Sequence, residues 1–241
     1  MINNLIKSGA RHLGLEVRRF QPSSSAAAQI RTMLAAHKIN LIFDVGANVG
    51  QYVSELRSHV GYKGRIVSFE PMSSAHAKLS KAAVRDELWE VNERVAIGAT
   101  TGSVNINISS NSVSSSVLSM LDAHANAAPQ SRYTSAESVP LAPLDSVALG
   151  YFKDDSIAFL KIDTQGYEGE VLRGAAETLQ RVAGVQLELS LIPLYEGQML
   201  MPELIKWMTE LGFDLWGISP TFADSKSGRM LQVDATFFKS F

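Results

Sequence analysis

The chain has 241 residues, 46% of them hydrophobic and 19% charged, with a formal net charge of −2. That length fits one large domain or a core with attachments; the apolar content excludes a largely disordered chain, and the near-neutral balance argues against a general nucleic-acid binder. Cysteine is absent, which excludes disulfides, cysteine-ligated zinc, iron–sulfur clusters and cysteine nucleophiles, and fits a reducing, cytoplasmic compartment.

Residues 1–40 read as a helical extension ahead of the main domain. Ile2, Leu5, Ile6 and Leu13 share one helical face, with Lys7 and Arg11 elsewhere and Arg18 and Arg19 following. This pattern suits a helix packed on the core or on a second copy of the chain. The alternative is an interfacial helix in residues 1–20 touching anionic lipid at the inner face of a membrane. No apolar run approaches the roughly 20 residues of a spanning helix, and the first residues lack the apolar stretch of a signal peptide. A Pro-Ser-Ser-Ser linker then opens a helix, with serine as N-cap and Ala26, Ile30, Met33, Leu34 and His37 at helical spacing.

Residues 41–45 form a short apolar run with one acid, a buried strand. A glycine turn leads to a helix over residues 49–58, then a strand over 65–70 stopped by Pro71, a helix over 73–83 and a strand over 90–97. Val104, Ile106 and Ile108 alternate with Asn105, Asn107 and Ser109, the period of a half-exposed hairpin strand. Residues 109–119 are serine-rich and 123–138 lack a clean period, so residues 109–138 read as an insertion or mobile lid. Structure returns with a strand over 157–162, interrupted only by Lys161, and a helix over 168–180. A strand over 185–191, a helix over 202–211 and strands over 213–218 and 232–238 complete the chain. Strands alternating with helices imply an α/β fold around a mainly parallel sheet, here residues 41–241, and ligands of such sheets bind at the carboxyl ends of the strands.

The strongest local signal is Asp44-Val45-Gly46-Ala47-Asn48-Val49-Gly50, directly after the first strand. Gly46 permits a sharp turn and Gly50 close packing of the next helix, while helix-start N–H groups offer an anion site. Glu70 follows at the end of the second strand, where a carboxylate accepts both hydrogens of a ribose diol. The spacing is not the dinucleotide G-x-G-x-x-G, and an acid in the loop repels a pyrophosphate. It suits a cationic amino-acid ligand carrying a ribose, the pattern of S-adenosylmethionine. A nicotinamide-dependent oxidoreductase is the rival enzyme, and a non-catalytic cofactor-binding scaffold the rival outside catalysis.

A second cluster, Lys161-Ile162-Asp163-Thr164-Gln165-Gly166-Tyr167-Glu168, ends another strand. Asp163 should project into the crevice and is the catalytic candidate; Glu168 sits where a helix dipole favours an anion. Glu188, between Leu187 and Leu189, is an unusual mid-strand charge that needs a metal, a place at the site's mouth, or a salt bridge to Lys161 or an arginine. Asp163 and Glu188 are therefore also the candidate ligands of a divalent metal. The five histidines are scattered; His124 falls in the expected lid and is the one placed to enter the site.

These motifs, with Ser68-Phe69-Glu70-Pro71, Val95-Ala96-Ile97-Gly98, Pro143-Leu144-Asp145, the run from Leu160 through Glu168 to Ala175, and Val185-Gln186-Leu187-Glu188, make the chain resemble the FkbM-like S-adenosylmethionine-dependent methyltransferases from about Leu41 onward. One departure is Gln165, where the family commonly has an acid. The resemblance implies a Rossmann-like class I methyltransferase sheet with helices on both faces and an antiparallel last strand. It also implies O-methylation of a sugar, glycan or natural-product hydroxyl. In that picture Asp44, Gly46, Ala47, Asn48 and Gly50 cradle the methionine part of the cofactor, Glu70 holds the ribose, and backbone near Ala96 meets the adenine. Asp163, then Glu188, would serve as the base that takes the acceptor's proton. The acceptor is expected to be a small molecule or glycan rather than a nucleic acid.

Overall fold

The computed structural model describes residues 2–239, with side chains from Lys7 onward. The side chains of Ile2, Leu5 and Ile6, on which the amphipathic reading rests, lie outside the described residues. The backbone there is helical, α1 (Ile2–His12), and Leu13 just beyond it is 78% exposed. In α2 (Ala26–Ala36) the Ser25 hydroxyl accepts the N–H of Ala28, the expected N-cap.

Strands β1 (Leu41–Val45) and β2 (Arg65–Phe69) are separated by α3 (Gln51–Glu55), which runs into a π-helical turn over Leu56–Val60. Then come α4 (Ser73–Ala83), β3 (Trp89–Val91), β4 (Ala96–Ile97), β5 (Gly102–Ser109), α5 (Asp122–Ala127), β6 (Tyr133–Ala142) and α6 (Leu144–Ala148). The last part holds β7 (Ala158–Ile162), α7 (Glu168–Arg173), α8 (Ala176–Arg181), β8 (Val182–Ser190), α9 (Met201–Glu210), β9 (Phe213–Ala223) and β10 (Met230–Lys239). The main sheet has seven strands in the order β3-β2-β1-β7-β8-β10-β9. The first five pair in parallel, while β10 is antiparallel to both β8 and β9.

Burial on both faces explains why the central strands read as continuous apolar runs. Ile42, Ile66, Phe159 and Phe238 face α2, α3 and the π turn, packing on Met33, Leu34, Val53 and Leu56. The other face, with Phe43, Val67, Leu160 and Leu187, packs under Leu144, Val171, Leu179, Leu204 and Met208 from the helices opposite.

Three sequence expectations change. The strand expected over residues 90–97 is two strands in two sheets, since β4 leaves the main sheet and pairs with β6 beside β5. The helix expected over 168–180 is two short helices. The stretch 109–138, read as an irregular lid, contains α5 and the first half of β6. Only Val139 and Leu141 of β6 are buried, so half the strand carries small exposed residues and shows no usable alternation.

Candidate active site

A row of polar side chains crosses the main sheet at the carboxyl ends of its strands. Ser68, Asp44, Lys161, Gln186 and Thr236 lie opposite one another on β2, β1, β7, β8 and β10, and all are buried. They occupy the next outward-pointing positions after Ile66, Ile42 and Phe159 on the same face, so period-two alternation carries that face from core to site. Lys161 Nζ lies 3.3 Å from Asp44 and 3.4 Å from Asp163. Burial works against its charge, but Asp163 and Asp44 outweigh it and raise its pKa. Tyr52 on α3 roofs the row: its hydroxyl donates to Gln186 (3.0 Å) and its ring lies 5.2 Å from Lys161 Nζ.

The glycine loop is fastened to the end of β2. The Phe69 carbonyl accepts the N–H groups of Gly46 and Ala47, each at 3.1 Å, and the N–H of Gly50 goes to Ala47. The Val49 N–H goes to the Gln51 side chain. Glu70 accepts the Asn48 N–H (2.7 Å) on one carboxylate oxygen and the Met72 N–H (2.8 Å) on the other. Residues 46–50 therefore have no spare N–H, and the first open N–H groups are those of the helix itself, from Gln51 on. Each Glu70 oxygen keeps a lone pair for a further donor. Burial pushes this carboxyl up to about 7, with the two backbone N–H groups acting against the rise.

A cavity of about 320 Å³ opens above these groups. Its wall includes the apolar residues Ala96, Ile97, Ile106 and Val117, the loop Gly46-Ala47-Asn48 with Glu70, and the charged residues Lys161, Asp163 and Asp234. Asn48 and Gln165, both on its wall, hold left-handed backbone conformations (φ +48° and +55°) that non-glycine residues rarely adopt.

Gln165 divides this cavity from a second one of about 280 Å³; it lines both, as do Asp163 and Val113. Its amide nitrogen donates to Asp163 (2.9 Å) and to Glu188 (2.6 Å), and its amide oxygen accepts the Tyr195 hydroxyl (2.7 Å). Its backbone carbonyl accepts from Ser116 (2.7 Å), in the serine-rich loop. The same Glu188 oxygen also accepts from Gln232 (2.8 Å). Burial, with Asp163 close by, pushes the Glu188 carboxyl well up.

Four expectations are corrected by this geometry. Asp44 is fully buried and does not line the cavity; it holds Lys161 rather than a ligand. Gly50 is also off the wall, and a Cβ on it would meet the Trp89 ring at 2.5 Å. Gly46 does line the cavity, but glycine is required by β7: a Cβ there would lie 1.8 Å from the Asp163 carbonyl oxygen. Glu188 pairs with amides instead of Lys161, and the Gln165 amide stands between the two proposed metal ligands. Among the described residues no group of three or more His, Asp or Glu side chains is placed to hold a metal ion, so the residues present do not fit one. Glu168 staples its own loop, accepting the N–H groups of Thr164 and Gly166. Ala47, Asn48, Glu70, Ala96 and Asp163 line the first cavity. Lys161, Tyr52, Gln165, Gln232 and Asp234 were not identified as site residues. Lys161, as the charge interrupting an apolar strand, and Gln165, as a departure from the family's pattern, left a trace in the sequence.

A sheet in this order, with the last strand antiparallel and the cavity at its carboxyl ends, is the fold of class I S-adenosylmethionine-dependent methyltransferases. Residues 44–215 match the sequence profile of the methyltransferase FkbM domain, and the chain belongs to that family. Among solved structures, an FkbM methyltransferase from Methylobacillus flagellatus is similar at 14% identity and a TM-score of 0.52, covering 82% of this chain and 43% of that one. The chain thus spans less than half the length of that relative. An rRNA methylase from Streptococcus thermophilus follows at 12% identity and a TM-score of 0.47, covering 90% of this chain and 98% of that one. No curated protein sequence gives a match. No helix among the described residues is long and apolar enough to cross a membrane.

Proposed function

We propose that the chain binds S-adenosylmethionine in the first cavity and methylates a hydroxyl of a sugar, glycan or natural-product acceptor. The observation that carries the reading is Glu70, buried at the end of β2 with each oxygen tied to one backbone N–H and free to accept one more donor, the arrangement a ribose diol needs. The apolar lining at Ala96 and Ile97 suits an adenine ring. The N–H groups of residues 46–50 are all in use, and the loop lacks the G-x-G-x-x-G spacing, which argues against a nicotinamide dinucleotide.

When bound, the cofactor supplies an electrophilic methyl group. Asp163 is the group placed to receive the acceptor's proton. Its side chain is 32% exposed, lies on the wall common to both cavities, and is oriented by Lys161 and by the Gln165 amide. Glu188, buried and held by the amides of Gln165 and Gln232, is less open to an acceptor. Calorimetric titration with S-adenosylhomocysteine and with NAD tests the first step; the reading expects binding of the former only. Tight binding of NAD, or none of S-adenosylhomocysteine, would falsify it.

A further inference from the structure

The stretch that follows α1 stays off the core. Leu13, Leu15, Val17 and Phe20 are between 45% and 78% exposed, four large apolar side chains within eight residues. Among the described residues, the hydrogen bonds of residues 13–20 run no further along the chain than Ser24. Single apolar residues are ordinary on a protein surface, whereas a cluster of them marks a contact. Lys7, Arg11, Arg18 and Arg19 stand among them, all exposed. They face one acid, Glu16, which pairs with Arg18 at 2.6 Å. Residues 1–20 thus carry four cations and one acid, a net +3, in a chain whose total is −2, which leaves the remainder at −5. Past α1 the backbone is no longer helical, and Leu13, Leu15 and Val17 alternate with Gly14, Glu16 and Arg18. In extended chain alternate side chains point to opposite sides, which sets the apolar groups on one side and the charges on the other.

We infer that residues 7–20 are a docking surface for an anionic lipid bilayer, with Leu13, Leu15, Val17 and Phe20 entering the headgroup boundary and Lys7, Arg11, Arg18 and Arg19 remaining among the lipid phosphates. Such binding grows with the apolar area buried and with the attraction of each cation to the headgroups. The long stems of lysine and arginine let their charges stay at the phosphates while the apolar neighbours go deeper. The charge pattern favours lipid over a second copy of the chain. A two-fold contact of this stretch with itself sets the same arginines against one another, whereas a layer of anionic headgroups attracts all of them. The remainder of the chain, at −5, is repelled by that layer, so adhesion orients the molecule with this stretch toward the membrane. None of this depends on the methyl-transfer reading.

The full chain is co-sedimented with vesicles of phosphatidylcholine alone and of phosphatidylcholine with about 30 mol% phosphatidylglycerol. It should pellet with the anionic vesicles at low salt, be released as salt rises, and bind the neutral vesicles about tenfold more weakly or less. The double variant Arg18→Gln with Arg19→Gln, and separately Leu15→Ser with Phe20→Ser, should each weaken binding to anionic vesicles about tenfold. All four side chains are exposed, so the melting temperature of both variants should stay at the wild-type value. The apolar pair separates insertion from adhesion by charge alone, which that variant would leave untouched. The inference is overturned if wild type binds neither kind of vesicle or both equally, or if either folded variant keeps wild-type affinity. It is also overturned if the lipid-free chain sediments as a dimer that Leu15→Ser with Phe20→Ser dissociates, which would assign the surface to a second copy.

Discussion

If Glu70 holds the ribose as proposed, cofactor affinity should depend on pH, with a direction that follows from its burial. Burial raises its carboxyl to about 7, while a ribose diol, which donates two hydrogens, requires the carboxylate. The bound state therefore excludes a proton that the free protein partly holds, and affinity rises as pH rises through about 7. With a free-state value near 7, the apparent Kd is about elevenfold above its limit at pH 6 and about one-tenth above it at pH 8. The span is about tenfold, or roughly 1.4 kcal/mol. S-adenosylhomocysteine keeps its own charges across this interval, so the slope belongs to the protein. Glu70→Gln should remove the slope and lower the plateau, because one amide N–H would face a backbone N–H where an oxygen now accepts. The lost bond and the orphaned donor together cost about 1–3 kcal/mol, seen partly as a lower melting temperature. Calorimetric titration between about pH 6 and 8 on wild type and variant reads both effects. Asp234, also raised to about 7 mainly by burial, lines the same cavity; any slope left in the variant is its share. An affinity in wild type that is flat, or that rises as pH falls, refutes the assignment.

Three further outcomes follow from the geometry. Lys161→Met leaves Asp44 wholly buried with only the Ser68 hydroxyl beside it, and should cost about 3–5 kcal/mol in urea unfolding; an unchanged midpoint would mean the ion pair is not buried in solution. Gly46→Ala forces a Cβ into the Asp163 carbonyl and requires a left-handed backbone of alanine, so soluble protein should unfold at markedly lower temperature or fail to bind S-adenosylhomocysteine. Gln165→Glu places a third carboxylate between Asp163 and Glu188. Electron paramagnetic resonance should then detect bound Mn²⁺ in the variant and none in wild type, and equal binding by both would contradict the amide bridge.

Much of this fold is legible because its signals are local. Five central strands announce themselves as short apolar runs, and Ser25 marks the start of α2. The glycine spacing and Glu70 mark one part of the cavity wall, since loop and carboxylate lie close in sequence to the strands that place them. The rest depends on long-range register. Asp44 looks like a ligand-facing acid until β7 sets Lys161 beside it, more than a hundred residues away. Gly46 looks like a ligand-approach glycine until the end of β7 occupies the same space. Asp145, within a motif that resembles the family's, turns out to cap α8 by accepting the N–H groups of Glu177 and Thr178. Gln165 stands out in the sequence only as a departure from the family's usual acid: its importance comes from three partners contributed by the segment after β7, by β8 and by the loop after β8.

Gln165 also stands where an occupant of either cavity would meet it. Its carbonyl holds the serine-rich loop that walls the first cavity, and its side chain reaches Asp163, Glu188 and Tyr195. A ligand that displaces this one residue on either side changes the free energy of filling the other. By thermodynamic reciprocity the effect is equal in both directions: whatever factor an acceptor applies to cofactor affinity, the cofactor applies to the acceptor. Coupling carried this way would rest on a single amide, so a substitution at Gln165 that leaves both cavities intact would abolish it.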